Sequence, residues 1–315
     1  MAHQLEIMKK DVVDVVGDRI RSFQETGELS FPPNYSPENA MKAAWLILQE
    51  TKAKVKVPGE KWPIERPALE VCTKNSVANA LLSMVVQGLN PQKKQCYFIA
   101  YGDQLTCQRS YFGSIYIAKQ VNPDIEDIVG EIVFDGDIFE FEKRRGKTVV
   151  TRHVQKLENI DKSRIRAAYA TILYHNGTEE SVIMTLPEVY QAWGQSKQNV
   201  FNDDGTLNAK TTHSKFTGDM CKRTVINKAC KIIINSSDDS NLIIKHYNQA
   251  DVIAAEAEAK ERIEAEANTI MIDENGEVID ITNESVPIEE SSNTAPAEPE
   301  SAEMMATDAD GQATF

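Results

Sequence analysis

The most distinctive side chains of this sequence lie between residues 88 and 113. Two short apolar and aromatic runs, residues 96–101 and 105–108, flank Gly102-Asp103, and this arrangement predicts a tight β-hairpin. Residues 108–113 then bring an amide, a guanidinium and two aromatic rings close together. Proteins bind single-stranded nucleic acid with this mixture, because cations neutralise phosphates and ring faces stack on bases. The alternative is that the aromatic residues are ordinary core side chains, namely Tyr97, Phe98, Tyr101 and Phe112.

Helices are predicted before this hairpin and mainly strands after it. A helix over residues 71–87 would end at Gly88, a residue suited to a helix C-terminus. Asn176-Gly177 predicts the turn of a second hairpin, and residues 212–234 predict one long helix. Further helices are predicted over residues 5–23, 36–54, 114–120 and 186–193, and strands over 125–134, 138–141, 148–150, 164–174 and 180–184. Residues 254–267, rich in Ala and Glu, are also predicted to be helical. The predicted fold class is therefore α+β: helices first, a central block of antiparallel strands, then a long helix.

The composition of the chain limits the cellular compartment in which it works and the metal and disulfide chemistry open to it. A hydrophobic content of 41% in 315 residues permits a sizeable core. No apolar run reaches the roughly 18 residues of a membrane helix, and the first residues do not resemble a secretory signal. The cysteines form no Cys-x-x-Cys pair and the histidines no His-x-x-x-His pair. We therefore expect unpaired, buried thiols in a reducing cytoplasm and no metal site.

The formal net charge of −14 conceals a basic body. Residues 251–315 carry 18 acidic and two basic side chains, so 30 acidic and 32 basic residues remain in the first 250, a net charge of +2. Basic residues concentrate in residues 143–166, which include Lys147 and Arg152, and on the predicted long helix. There Lys215, Lys222 and Arg223 lie about two turns apart and share one face. Such a stripe is either a track for phosphates or merely a solvated surface.

Enzymatic chemistry finds little support in the sequence. Gly146-Lys147-Thr148 matches the end of a phosphate-binding loop, but Phe141 stands where that motif requires glycine. A nuclease metal site would need several carboxylates, and the candidates alternate around a glycine turn in a way that fits solvent-facing hairpin positions better: Asp135, Asp137, Glu140 and Glu142. We expect no catalytic residue and no metal ligand. Metal-dependent cleavage of labelled DNA would contradict this expectation.

Four sequence blocks, in order, resemble the signature of the RecT family, the phage and prophage single-strand annealing proteins. The first block joins Gly88-Leu89-x-Pro91 to Leu105, Tyr111 and Gly113. The others are residues 134–142, Ala168-Tyr169-Ala170 with Met184-Thr185, and residues 220–228. Together they extend from about residue 68 to 235. Cys107 and Phe112 are less typical of the family pattern, so the resemblance assigns them no role.

The resemblance implies a curved antiparallel sheet backed by the long helix, and ATP-independent binding and annealing of single-stranded DNA in phage-type homologous recombination. It also implies a homo-oligomer, as a ring or a helical filament, that holds single strands and the annealed duplex intermediate. A phage exonuclease and a host single-strand binding protein are the expected partners, in the cytoplasm of a bacterial host and not at a membrane. The expected DNA contacts are Gln108, Arg109, Tyr111, Lys147, Arg152, Lys215, Lys222, Arg223 and Lys228.

No cofactor is expected, because pairing itself is downhill by about 1.4 kcal/mol per stacked step. Mg²⁺ would at most modulate DNA binding. The alternative from another functional class is a single-strand binding protein that protects strands without annealing them. An annealing protein speeds duplex formation from complementary strands, whereas a protecting protein slows it.

Three segments are predicted: an N-terminal helical segment (1–60), a DNA-binding and annealing core (61–250) and an acidic, largely disordered tail (251–315). The helix over residues 5–23 either docks on the core or contacts another subunit. Lysines 52, 54, 56 and 61 lie in a predicted loop that is either a connector or an arm that meets phosphate. The tail ends in acidic residues and Phe315, like the tips of single-strand binding proteins. It either competes for the basic groove, docks a partner or only solubilises the protein.

Overall fold

The computed structural model describes residues 2–56, 63–195, 200–237, 242–266, 270–272 and 278–280. The chain divides into two compact units, Met1–Glu266 and Ala267–Phe315. The first unit combines helices with small antiparallel sheets, so the predicted α+β class is confirmed.

Helices dominate the N-terminal part of the first unit. Its elements are α1 (Ala2–Glu25), α2 (Pro37–Glu50), β1 (Lys52–Val55), β2 (Ile64–Pro67), α3 (Ala68–Val71) and α4 (Lys74–Val86). Ser36 caps α2 by accepting a hydrogen bond from the N–H of Asn39. The apolar stripe of α1 places Val12, Val16 and Ile20 in the core, and α1 packs against α4. Of the two alternatives for this helix, the structure places its stripe within its own subunit.

Two of the lysines predicted in a loop lie in a strand. Lys52 and Lys54 belong to β1, which pairs with β2, and Lys52 forms an ion pair with Glu65 at 2.9 Å. The prediction missed the period-two pattern that buries Ala53 between the two lysines. Lys61 lies outside the described residues.

A glycine in the left-handed region ends α4. Gly88 has φ +67°, its N–H donates to the carbonyl of Val85, and the N–H of Leu89 donates to the carbonyl of Met84. The predicted hairpin follows as β3 (Cys96–Tyr101) and β4 (Gln104–Arg109), which turn at Gly102. α5 (Tyr111–Val121) begins three residues earlier than predicted. Tyr111 and Phe112 therefore lie in the first turn of a helix.

The central strands match the predicted positions closely. They are β5 (Ile125–Phe134), β6 (Ile138–Arg144), β7 (Lys147–Val154), β8 (Ile165–Tyr174) and β9 (Glu179–Thr185). Three of them form an antiparallel sheet in the order β5-β8-β9, while β6 and β7 form a separate hairpin. The turn at Asn176-Gly177 joins β8 to β9, as predicted.

Helices return after the strands, as α6 (Leu186–Gly194), α7 (Thr212–Lys215), α8 (Thr217–Asn235) and α9 (Leu242–Glu266). α8 packs against β5, β8 and β9. A Cβ atom on Gly130 of β5 would lie 2.8 Å from the side chain of Ile226, so glycine permits this close approach. The single helix predicted over residues 212–234 is wrong in one respect: the backbone of Phe216, with φ −128° and ψ 49°, separates α7 from α8.

α9 passes through the segment boundary predicted between residues 250 and 251. Its side chains Ile243, Ile244 and Tyr247 are buried, and the helix contacts β3, β4 and α4. Residues 251–266, predicted to belong to the tail, are part of the first unit, and they are helical, as predicted for residues 254–267. In the second unit, β10 (Ile270–Ile272) pairs antiparallel with β11 (Val278–Asp280). Residues 281–315, the remainder of the predicted tail, lie outside the described residues.

One expectation from composition is confirmed. All five cysteines are buried and unpaired: Cys72, Cys96, Cys107, Cys221 and Cys230. Across the described part of the chain, no helix has the length and apolar composition needed to cross a membrane.

Candidate nucleic-acid interface

An open cavity of about 880 Å³ lies between β4, α6, α8 and α9, and we call it the first cavity. Four residues predicted to contact DNA line it: Gln108, Arg109, Arg223 and Lys228. β4 supplies the first two from its C-terminal end, and α8 supplies the others. Lys231 adds a fourth cation, whereas Glu188 and Asp251 are the carboxylates in the wall. The cavity is therefore basic, although the chain as a whole is acidic.

Arg109 lies at the bottom of the first cavity and is bound to α9. Its side chain is only 5% exposed. The guanidinium donates hydrogen bonds to Gln87 Oε1 (2.9 Å), the carbonyl of Tyr247 (2.9 Å) and Asp251 Oδ1 (2.7 Å), and it stacks 3.7 Å from the centre of the Tyr247 ring. Its Nε atom is buried without a hydrogen-bond partner among the described residues. In this conformation Arg109 binds a carboxylate of its own chain.

Gln108 is positioned by the hairpin itself. Tyr97 lies opposite Gln108 in the strand register, and the side-chain amide of Gln108 donates to the hydroxyl of Tyr101 at 2.7 Å. The amide lines the first cavity beside Arg109 and is half-buried. It is therefore held in place and can contact a sugar or a base.

A second cavity of about 480 Å³ continues along α8. It is lined by Tyr111, Phe112, Lys222 and Arg223 together with residues of β5, and Arg223 lines both cavities. The rings of Tyr111 and Phe112 are 4.0 Å apart, and Phe112 is 47% exposed. Burial raises the pKa of Tyr111, so its hydroxyl remains protonated at neutral pH and can donate a hydrogen bond. Lys222 forms an ion pair with Glu131 at 2.9 Å.

α8 connects the two cavities through its cations. Lys222, Arg223, Lys228 and Lys231 extend over nine residues, a rise of about 14 Å. That length matches about four base steps of a stacked strand at 3.4 Å each. Arg223 adjoins both cavities, with Lys228 and Lys231 in the first and Lys222 in the second, where the rings of Tyr111 and Phe112 also lie.

The sequence model of the RecT family matches residues 38–268. The chain belongs to the RecT family. Membership implies the binding and annealing of single-stranded DNA in phage recombination. The match contains both cavities and ends two residues after α9. No curated protein matches the chain.

Three of the predicted contact residues lie away from both cavities in this RecT-family protein. Lys147 and Arg152 are on β7, where they form ion pairs with Glu180 (2.6 Å) and Glu140 (3.8 Å). Lys215 is exposed at the end of α7, and its carbonyl accepts a hydrogen bond from Lys162. The structure therefore brings together six of the nine predicted residues and leaves these three outside.

The acidic residues around Gly136 were predicted to face solvent, but one of them does not. The side chain of Asp137 is inaccessible to solvent. Burial would raise the pKa of Asp137, but hydrogen bonds from Gln155, the N–H of Phe134, Asn159 and His153 outweigh it and lower the pKa to about 2. The sequence prediction erred here because three of these donors, His153, Gln155 and Asn159, come from β7 and the residues that follow it. Asp137 anchors the β6–β7 hairpin through these bonds.

Sequence reasoning missed three residues that line the first cavity or hold Arg109 in place. Gln87 and Tyr247 hold Arg109, and Asn227 lines the first cavity with its side-chain oxygen buried and without a partner among the described residues. Asn227 follows Arg223 by one helical turn, a spacing that could have identified it. The roles of Gln87 and Tyr247 depend on contacts with distant parts of the chain, for which the sequence has no signal.

Proposed function

We propose that this RecT-family protein binds the backbone of single-stranded DNA along α8 and anneals complementary strands without ATP. The observation that supports this function best is the position of Arg223, which lines both cavities and so adjoins Lys228 in the first and Lys222 in the second. Two strands can pair only if the protein holds their phosphates and leaves the Watson–Crick edges accessible. A groove built from cations on a helix provides that arrangement.

Phosphate neutralisation supplies most of the proposed affinity. Each phosphate contact with a single strand contributes about 0.7 to the slope of log K against log salt, so four contacts along α8 predict a slope of roughly −3 per subunit. Binding would then weaken steeply with salt. A largely apolar interaction would not show this dependence.

Base stacking supplies the second part of the proposed DNA affinity. Phe112 is exposed beside Lys222 and Arg223, and its ring packs on Tyr111. Stacking of a base on an aromatic side chain contributes about 1–3 kcal/mol and depends little on sequence. A protein that anneals any complementary pair needs such sequence-independent contacts.

The chemistry of annealing requires no catalytic group and no cofactor in this proposal. Strand pairing gains about 1.4 kcal/mol per stacked step, and the protein lowers the barrier to finding the correct register. Mg²⁺ would act only by screening phosphates. We further propose that the protein works as a homo-oligomer, a ring or a helical filament, with a partner exonuclease and a host single-strand binding protein. Several subunits in a row would let two strands sample many registers.

Mixing two complementary labelled oligonucleotides tests the proposal. We expect the protein to accelerate duplex formation, and Arg223→Gln to reduce the rate strongly. Arg152→Gln, which removes the same charge from β7, is the matched control and should anneal like the unmodified protein. Slower duplex formation in the presence of the unmodified protein would instead identify a protein that protects single strands.

A further inference from the structure

The C-terminal half of α9, residues 251–266, borders the first cavity with its first turn, and we call it the wall segment. It contributes Asp251, Ala254 and Ala255 to the lining. By sequence it carries six acidic and two basic residues, a net charge of −4. The lining residues of the segment belong to the same cavity as Arg223, Lys228 and Lys231. One carboxylate of this acidic segment, that of Asp251, therefore lies at the surface that, in the proposed function, binds DNA phosphates.

The contact between Asp251 and Arg109 occupies a position suited to a phosphate. A guanidinium binds carboxylates and phosphates with the same hydrogen-bonding groups, so the two anions compete for it. The Arg109 side chain is 5% exposed, and Asp251 accepts from its Nη2 at 2.7 Å. A DNA phosphate cannot reach Arg109 while Asp251 stays in place.

The wall segment is held less firmly than the rest of α9. In residues 242–250, Ile243, Ile244, Tyr247 and Ala250 are buried, but among the described side chains after Asp251 only Ala257 is. Val252 and Ile253 are exposed, at 54% and 40%. The ion pair of Lys260 with Asp103 is long, at 3.8 Å, and both side chains are at least half exposed. Such surface pairs contribute little, so the wall segment can open while the first half of α9 remains packed.

We propose that the wall segment is an internal competitor for the DNA groove, and that single-stranded DNA displaces it. In the closed state Asp251 neutralises Arg109. In the open state a DNA phosphate replaces the carboxylate, and the acidic segment leaves the cavity. This inference rests on the proposed function, because it assigns the same groove to DNA. The segment would keep Arg109 from weakly bound anions and release it to a polyanion that also binds the cations of α8.

Two single substitutions on α9 test the competition. Asp251→Asn removes the carboxylate that binds Arg109, and Glu256→Gln removes an equal charge from an exposed position on the same helix. We expect Asp251→Asn to bind oligo(dT) roughly fivefold more tightly than the unmodified protein, because a larger fraction of molecules is open. Glu256→Gln should change affinity much less. Equal affinities of the two variants would overturn the proposal, since a general charge effect would then explain both.

Hydrogen exchange of the unmodified full-length protein provides the second measurement. We expect the amides of residues 251–266 to exchange faster when oligo(dT) is bound, while those of α8 exchange more slowly. Slower exchange in the wall segment would show that it is a fixed wall of the site and would overturn the proposal. If neither the unmodified protein nor Asp251→Asn binds oligo(dT), the proposed function fails and the competition fails with it. If the protein binds oligo(dT) but the amides of the wall segment exchange more slowly, only the competition proposal fails.

Discussion

Two regions of this protein have a similar density of positive charge but differ in what surrounds it. On the β6–β7 hairpin, Lys147 and Arg152 each form an ion pair with a glutamate on a neighbouring strand. On α8, Arg223 and Lys228 line a concave surface and form no ion pair with any described residue. These hairpin cations balance charge within the fold, whereas Arg223 and Lys228 are available to an external anion. Lys222, also on α8, is paired with Glu131. A cation in a basic cluster is therefore a stronger candidate for binding DNA where the fold leaves it unpaired in a concave surface.

The largest expected difference between the two regions is in DNA affinity. Replacing Lys222, Arg223 and Lys228 together by glutamine should weaken oligo(dT) binding about a hundredfold at 0.1 M salt, because each lost phosphate contact costs about 0.7 of a decade there. The matched hairpin variant replaces Lys143, Lys147 and Arg152. Fluorescence anisotropy should show nearly unchanged affinity for it. Equal losses in both variants would eliminate the distinction between the regions.

A substitution in the β6–β7 hairpin should instead lower the free energy of unfolding. Asp137→Asn removes the buried carboxylate that anchors it, and a pKa lowered from 3.8 to about 2 corresponds to about 2 kcal/mol of unfolding free energy. Because the folded pKa is depressed, this contribution is fully present above about pH 4 and disappears as pH falls towards 2. Urea unfolding of both proteins at several pH values measures it. The difference should be constant at neutral pH and shrink in acid. The exposed Asp135→Asn control should have a much smaller effect.

Aromatic residues give a third comparison. Phe112→Ala should weaken oligo(dT) binding roughly tenfold, because it removes a ring on which a base stacks. Phe141 on β6 is similarly exposed, at 51% against 47%, so Phe141→Ala is the matched control and should bind normally. Phe112→Leu separates stacking from simple apolar contact. If it retains full affinity, a ring face is not what binds the DNA.

The smallest expected effect is on salt dependence. Arg223→Gln alone should reduce the magnitude of the slope of log K against log salt by about 0.7, the value for one phosphate contact with a single strand. Arg152→Gln should leave the slope unchanged. Affinities measured across a salt series distinguish the two outcomes. An unchanged slope for Arg223→Gln would mean that Arg223 does not contact phosphate.

Local patterns were reliable where a residue acts through its neighbours in the chain. Gly88, Gly102 and Asn176-Gly177 each mark a turn that the structure contains, and β5 begins and ends where predicted. The face that spacing predicted for Lys215, Lys222 and Arg223 together is wrong, because Phe216 separates α7 from α8. Predictions of which side chains contact each other failed more often. Nothing near Asp137 in sequence indicates that His153, Gln155 and Asn159 donate hydrogen bonds to it.

By itself the sequence determined the class of fold, the order of its elements, the uneven distribution of charge and the resemblance to the RecT family. These properties depend on composition, on local backbone preferences and on short-range periodicity. Only the tertiary structure decided which cations face an open groove and which are paired, and that Arg109 binds Asp251 of α9. Such contacts join residues up to 142 positions apart, and their energies depend on burial and distance, which no local pattern encodes.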